Sequence, residues 1–228
     1  MCKCKMAEYE KEQLEIKNRE RQYDLERIIN NSLMDNEFKQ IIFKNWNSKL
    51  ANPKMLHLAK KYAENFKMVK DKNIGLVIYG TPGGGKTYAC GCIANHLLSQ
   101  GIPVICVGIG QLLQRIQRTF NSYGKEGAAE ILRGLNNAEL LILDDLGTEQ
   151  ETEWSVSMIY QIIDSRCRSG KPLIVTTNIP LKQIELRYEK RTYDRLVNKM
   201  CTPYENKWGS IREKLGENKT SALKELLK

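Results

Sequence analysis

Residues 74–87 read Ile74-Gly75-Leu76-Val77-Ile78-Tyr79-Gly80-Thr81-Pro82-Gly83-Gly84-Gly85-Lys86-Thr87, and this stretch decides the fold. An apolar run of strand length ends in a full G-x-x-x-x-G-K-[ST] pattern, and a helical stretch, YACGCIANHLLSQ, follows it. Glycines let a backbone curl until successive N–H groups point at one anion. Lys86 then reaches the β- and γ-phosphates of a nucleotide, and the Thr87 hydroxyl ligates Mg²⁺. The helix that begins here aims its positive dipole end at the same charge. The nucleotide-binding residues are therefore Gly80, Thr81, Pro82, Gly83, Gly84, Gly85, Lys86, Thr87 and Tyr88, with ATP and Mg²⁺ as the expected ligands. A glycine-rich turn without a ligand is the competing reading, and it does not require the flanking strand and helix.

Downstream, Leu140-Leu141-Ile142-Leu143-Asp144-Asp145 is an apolar strand that ends in two carboxylates. Asp144 is placed to hold Mg²⁺ beside Thr87. Asp145, one residue further, is placed to orient or deprotonate an attacking water. The alternative for such a pair is a cap for the following helix. A third strand, 172–176, ends in Thr176-Thr177-Asn178, where the amide of Asn178 can meet the γ-phosphate or the lytic water. Alone, such an asparagine is a turn residue.

Apolar runs at 74–79, 103–107, 139–143 and 172–176 alternate with amphipathic stretches near 86–100, 110–121, 126–135 and 153–168. That alternation predicts an α/β fold with a parallel sheet covered on both faces. Gly101 and Gly170 stand where glycines end helices. Upstream, Asn52-Pro53 offers an N-cap and a first-turn proline for a helix running to about Lys70. Phe38, Ile41, Ile42, Phe43 and Trp46 form an apolar cluster expected to pack on the main domain. Residues 5–31 read as one long, very polar helix, a linker or partner-binding arm. The expected organisation is an N-terminal helical arm over 1–35 and an ATPase domain over 36–228.

Seven cysteines in a chain of this composition suggest thiols. Cys90 and Cys92 fall on different faces of a helix and cannot chelate one ion together. Cys106, Cys167 and Cys201 are isolated, and His57 and His96 read as surface or cap residues. Cys2-x-Cys4 looks like half of a zinc site, with no second Cys/His pair at suitable spacing. No apolar run approaches the roughly 20 residues of a membrane span, and the charged N-terminus does not read as a secretory signal, so the expected location is cytoplasmic. The formal charge of +9 is compatible with a polyanionic partner. The stretch 138–180 is itself acidic, with seven acids against three bases.

Taken together, residues 75–87, Leu141-Ile-Leu-Asp-Asp-Leu-Gly147, Gly170-Lys-Pro-Leu-Ile-Val-Thr-Thr-Asn178 and Arg191-Thr-Tyr-Asp-Arg-Leu196 carry a resemblance. From about Phe38 to Leu215 the chain resembles the DnaC/DnaI-type replicative helicase loaders, a branch of the AAA+ ATPases that includes the IstB transposition helpers. The resemblance implies a five-stranded AAA+ P-loop sheet, Asn178 as the sensor-1 residue and Arg195 as an arginine finger entering a neighbouring subunit's ATP site. A helix salt bridge is the plainer reading of Arg195. Trp208-Gly-Ser-Ile-Arg212 is similar to the family's closing segment, which makes Arg212 the sensor-2 candidate, although Ile211 stands where the family has an aromatic. By similarity, Phe120, Thr152 and Trp154 fall at positions facing single-stranded DNA, where aromatics can stack on bases and nearby Arg115, Arg118 and Lys125 can neutralise phosphates; Phe and Trp beside helices are otherwise core residues. The implied partners are a hexameric replicative helicase, single-stranded DNA and further copies of the chain when ATP is bound. Met1-Cys-Lys-Cys4 resembles the tail of the family's zinc module, whose front part this chain would lack. A transposition helper, or a nucleotide-dependent scaffold with negligible hydrolysis, are the alternative functions.

Overall fold

A computed structural model describes residues 6, 9, 12–20, 22–23, 38–48, 50–121 and 127–227. Five strands form one parallel sheet: β1 Gly75–Gly80, β2 Val104–Gly108, β3 Leu140–Leu146, β4 Leu173–Thr177 and β5 Cys201–Asn206, in the order β2-β3-β4-β1-β5. The helices are α1 Pro53–Glu64, α2 Phe66–Asp71, α3 Lys86–Ser99, α4 Ile109–Asn121, α5 Ala128–Asn137, α6 Glu153–Ser169, α7 Leu181–Tyr193 and α8 Ile211–Leu226. Asp194–Met200 forms a π-helical stretch after α7.

Because strand side chains alternate between faces, each strand feeds two cores. Leu76, Ile78, Cys106, Ile142 and Ile174 pack with Met55, Tyr62, Ile93 and Leu97 on one side. Val77, Ile105, Leu141, Leu143 and Val175 pack with Leu112, Ile131, Ile159 and Ile184 on the other. Both faces are therefore dry, which is why the strands read as unbroken apolar runs. The expected cluster before α1 docks on the first core: Phe38 and Trp46 are buried, Ile41 and Phe43 pack against it, and Ile42 stays at the surface.

Three features depart from the sequence reading. The helix expected from Pro53 to about Lys70 breaks at Asn65, whose side chain donates to the Lys61 carbonyl, 2.9 Å, in competition with the helical backbone. β5 left no apolar signature: Thr202, Pro203 and Glu205 are exposed, as an edge strand allows and a central strand would not. In the expected polar arm, residues 12–20 and 22–23 are helical and mostly exposed. Gln22 nevertheless grips the opposite sheet edge, its amide accepting from Val104 N at 2.9 Å and donating to Val104 O at 3.1 Å. It thereby occupies backbone groups that a free β2 edge would present to another chain. Cys2 and Cys4 lie outside the described residues. Cys90, Cys92, Cys106, Cys167 and Cys201 are buried free thiols. Among the described residues no helix is long and apolar enough to cross a membrane.

Candidate nucleotide site

The loop between β1 and α3 closes around its own lysine. Lys86, 5% exposed, donates to Gly80 O at 2.9 Å, Thr81 O at 2.8 Å and Asn178 Oδ1 at 2.7 Å. Gly83 adopts φ +74°, and a side chain on Gly84 would meet Asn206 Nδ2 at 2.6 Å, so this curl excludes larger residues. Burial pushes the Lys86 ammonium pKa down, opposed by Asp145 and Asp144. A desolvated ammonium held by neutral oxygens beside a cavity can exchange them for an anionic one.

Both acids reach the site because β3 is irregular. Successive strand residues point to opposite faces, so Asp144 and Asp145 in a regular strand could not share one. Pairing shifts between Leu143↔Val175 and Leu146↔Thr177, which puts one extra residue in β3, and Asp145 takes the left-handed φ of +57°. Thr176 holds the bulge in place: its hydroxyl donates to Asp144 Oδ1 at 2.6 Å and accepts from Asp145 N at 2.9 Å. Asp144 is 4% exposed and also accepts from the Thr87 hydroxyl at 3.0 and 3.1 Å. Burial raises its pKa, with the Thr176 hydrogen bond acting the other way.

A cavity of about 450 Å³ opens from these groups. Polar side chains of Lys86, Thr87, Asp145, Asn178 and Arg212 line it together with the apolar Ile41, Trp46, Leu50, Ala51, Ile211 and Leu215. Tyr88 lines it too, with its ring edge-on to Trp46 at 5.5 Å. A cavity lined by both charged and apolar side chains suits a phosphate chain carrying a planar base. The Thr87–Asp144 pair offers hard oxygens for Mg²⁺. Among the described residues no cluster of three or more His, Cys, Asp or Glu could hold a metal alone. A cation here would share its coordination with a phosphate, which is how Mg²⁺ usually binds.

Other expected residues lie elsewhere. Arg195 does not line the cavity; its Nε pairs with Asp164 Oδ1 at 2.5 Å, and Arg168 joins the same carboxylate at 2.9 Å. The salt-bridge alternative thus has the right form, with a partner on α6 in place of a neighbour in sequence. Thr152 caps α6, accepting from Ser155 N at 3.1 Å, and Trp154 packs half-buried against the core. Arg115 is half-buried and Arg118 exposed on α4, while the Phe120 side chain lies outside the described residues.

The sequence reading missed Thr176, although its hydroxyl lay inside the Thr-Thr-Asn run already singled out. It also missed Asn206, Trp208 and Glu149. Glu149 is buried, accepts from Gly147 N at 2.9 Å, and takes an ion pair from Arg187 at 3.0 Å and a hydrogen bond from the Tyr188 hydroxyl. It ties the loop after the acid pair to α7, a contact that no local pattern announces.

The replicative helicase loader DnaC of Buchnera aphidicola subsp. Baizongia pistaciae is 28% identical over 198 residues, covering 85% of this chain and 78% of that one. DnaC of Escherichia coli K12 is 30% identical over 142 residues, 62% of this chain and 56% of that one. A crystal structure of the DnaC helicase loader superposes with a TM-score of 0.64 at 21% identity, over 76% of this chain and all of that one. The shared architecture is the AAA+ P-loop fold that the sequence resemblance implied. The model of the IstB-like ATP binding proteins matches residues 17–201, and the chain belongs to that family.

Proposed function

We propose that this protein is an ATP-dependent DNA replication factor that loads a hexameric replicative helicase, hydrolysing ATP with Mg²⁺ and binding single-stranded DNA. The observation that carries the ATPase reading is that Lys86, Thr87, Asp145 and Asn178 line one cavity while Asp144 sits behind them, hydrogen-bonded to Thr87. Support for the loader reading comes from the names of its relatives.

In this reading Lys86 turns its ammonium from the Gly80 and Thr81 carbonyls to the terminal phosphates. Thr87 and Asp144 would hold Mg²⁺, which supplies neutralisation of β- and γ-phosphate charge. Asp145, aimed into the cavity by the bulge, accepts the proton of the attacking water. Asn178 positions that water or the γ-phosphate, and Arg212 reaches the phosphates from the first turn of α8. Arg195 acts in trans, leaving Asp164 to enter the site of an adjacent copy. Arg115 and Arg118 contribute phosphate contacts to DNA, with Phe120, Thr152 and Trp154 nearer the bases.

Membership of the IstB-like ATP binding family, together with the resemblance to the IstB transposition helpers, keeps a second reading, a transposition helper. Copurification of the Asp145→Asn protein in the presence of ATP decides between them. Retention of a hexameric helicase supports the loader; retention of a transposase replaces it with the helper. A wild-type protein that binds ATP without turnover, with or without single-stranded DNA, is instead a nucleotide-dependent scaffold.

A further inference from the structure

The segment joining β5 to α8 is hydrogen-bonded both to the phosphate loop and to Leu50, a residue of the cavity wall. Asn206, 1% exposed, donates from Nδ2 to Gly84 O at 2.7 Å and accepts at Oδ1 from Asn52 Nδ2 at 2.8 Å. Ile211 N donates to Gly83 O at 2.9 Å, and the Thr81 hydroxyl donates to Trp208 O at 3.0 Å. The Trp208 indole donates to Leu50 O at 2.8 Å, within the 45–51 stretch that contributes Trp46, Leu50 and Ala51 to the cavity wall.

Peptide planarity gives these contacts a consequence. In a trans peptide the N–H points away from the preceding C=O. Fixing the carbonyls of Gly83 and Gly84 from behind therefore aims the N–H groups of Gly84 and Gly85 the opposite way, as a phosphate-binding nest requires. Three glycines in a row are otherwise the most conformationally free stretch in the chain. A loop already held in its binding shape loses less entropy when the anion arrives.

We propose that residues 206–211 form a clamp in which Asn206 and Trp208 are positioning residues for nucleotide. Asn206 holds the phosphate loop, and Trp208 holds the base-side wall. Asn52 belongs to the same relay: its Oδ1 caps α1 by accepting from Lys54 N at 2.9 Å while its amide engages Asn206. The relay is 7% exposed at Asn52 and 1% at Asn206, so water does not readily replace a lost bond. This assignment rests on the nucleotide reading above.

The test is calorimetric titration of the full chain with ATP and with inorganic tripolyphosphate, each with Mg²⁺. Asn206→Ala should weaken both ligands by about tenfold or more, since it loosens the loop that both contact. Asn206→Asp keeps the size and the acceptor for Asn52 but cannot donate to Gly84 O, and it should weaken both as well. Trp208→Phe keeps a ring and removes one bond at the half-buried indole. It should weaken ATP by about threefold to tenfold and leave tripolyphosphate unchanged, a split that general destabilisation does not produce. If folded Asn206 variants bind tripolyphosphate like wild type, or Trp208→Phe weakens both ligands equally or neither, the clamp is wrong. Wild-type protein that fails to bind ATP, or binds it no better than Lys86→Ala, would instead overturn the nucleotide reading itself.

Discussion

Among the described residues, Lys86 and Arg166 are buried among carbonyl oxygens at opposite ends of one sheet, and they serve different purposes. At the N-terminal ends of β3 and β4, Arg166 is fully buried and its guanidinium donates to the carbonyls of Leu135, Asn136, Ala138, Glu139 and Pro172 at 2.8 to 3.3 Å. The planar fork caps the end of α5 and joins the segments entering both strands, so it fastens three pieces of chain at once. At the C-terminal ends, Lys86 has two carbonyls and one amide oxygen, and it faces a cavity. A flexible ammonium with few partners beside open space can exchange them for a phosphate; an enclosed five-donor fork cannot. Burial of a charge thus marks structure when the cage is closed and function when one side is open.

The largest effect should come from the closed cage. Arg166→Met orphans several buried carbonyls and should cost about 3–5 kcal/mol, lowering Tm by roughly 10 °C in thermal denaturation. Arg166→Lys should recover only part of this, since one ammonium cannot span the carbonyls. At the open end, Asp145→Asn should lower kcat for ATP by about 10²- to 10⁴-fold while leaving ATP affinity nearly unchanged. Equal losses in kcat and affinity would make Asp145 a binding residue. Lys86→Ala should weaken ATP binding by about a hundredfold, with a smaller drop in Tm than Arg166→Met. A reversed pattern, with Lys86 mattering more to folding than Arg166, would break the comparison.

The smallest effect concerns Asp144, whose raised pKa means that the folded state binds its proton more tightly than the unfolded chain. In its charged form this carboxylate therefore opposes folding of the ligand-free protein. Asp144→Asn should raise the ligand-free Tm by about 2–4 °C while abolishing Mg²⁺-dependent turnover. The cost is complete above the raised pKa and disappears as pH falls towards the ordinary carboxylate range. The Tm gap between variant and wild type should narrow on acidification, and a gap that widens would reverse the sign of the argument.

How far the sequence could be read depended on whether a feature was local. The phosphate loop, the acid pair, Asn178, four strands and the helices between them followed from apolar runs and spacing, because each signal lies within a few residues. Asn52 as a cap and the left-handed Gly101 and Gly170 were equally local. β5 was not, since an exposed edge strand carries no continuous apolar run. Arg166, Glu149 and Asn206 carried no local signal, because their partners lie up to 31, 39 and 154 positions away.

The chain by itself determined the chemistry on offer: an anion cradle, a hydroxyl for a metal and two carboxylates, each specified by residue type at short range. Tertiary structure alone decided how those groups face one another. It put an extra residue into β3 so that adjacent acids share a site, and it set Asn206 behind Gly84. Arg195 it placed against Asp164, away from the chain's own cavity. Direction depends on backbone torsion and on neighbours distant in sequence, and the order of residues does not state either.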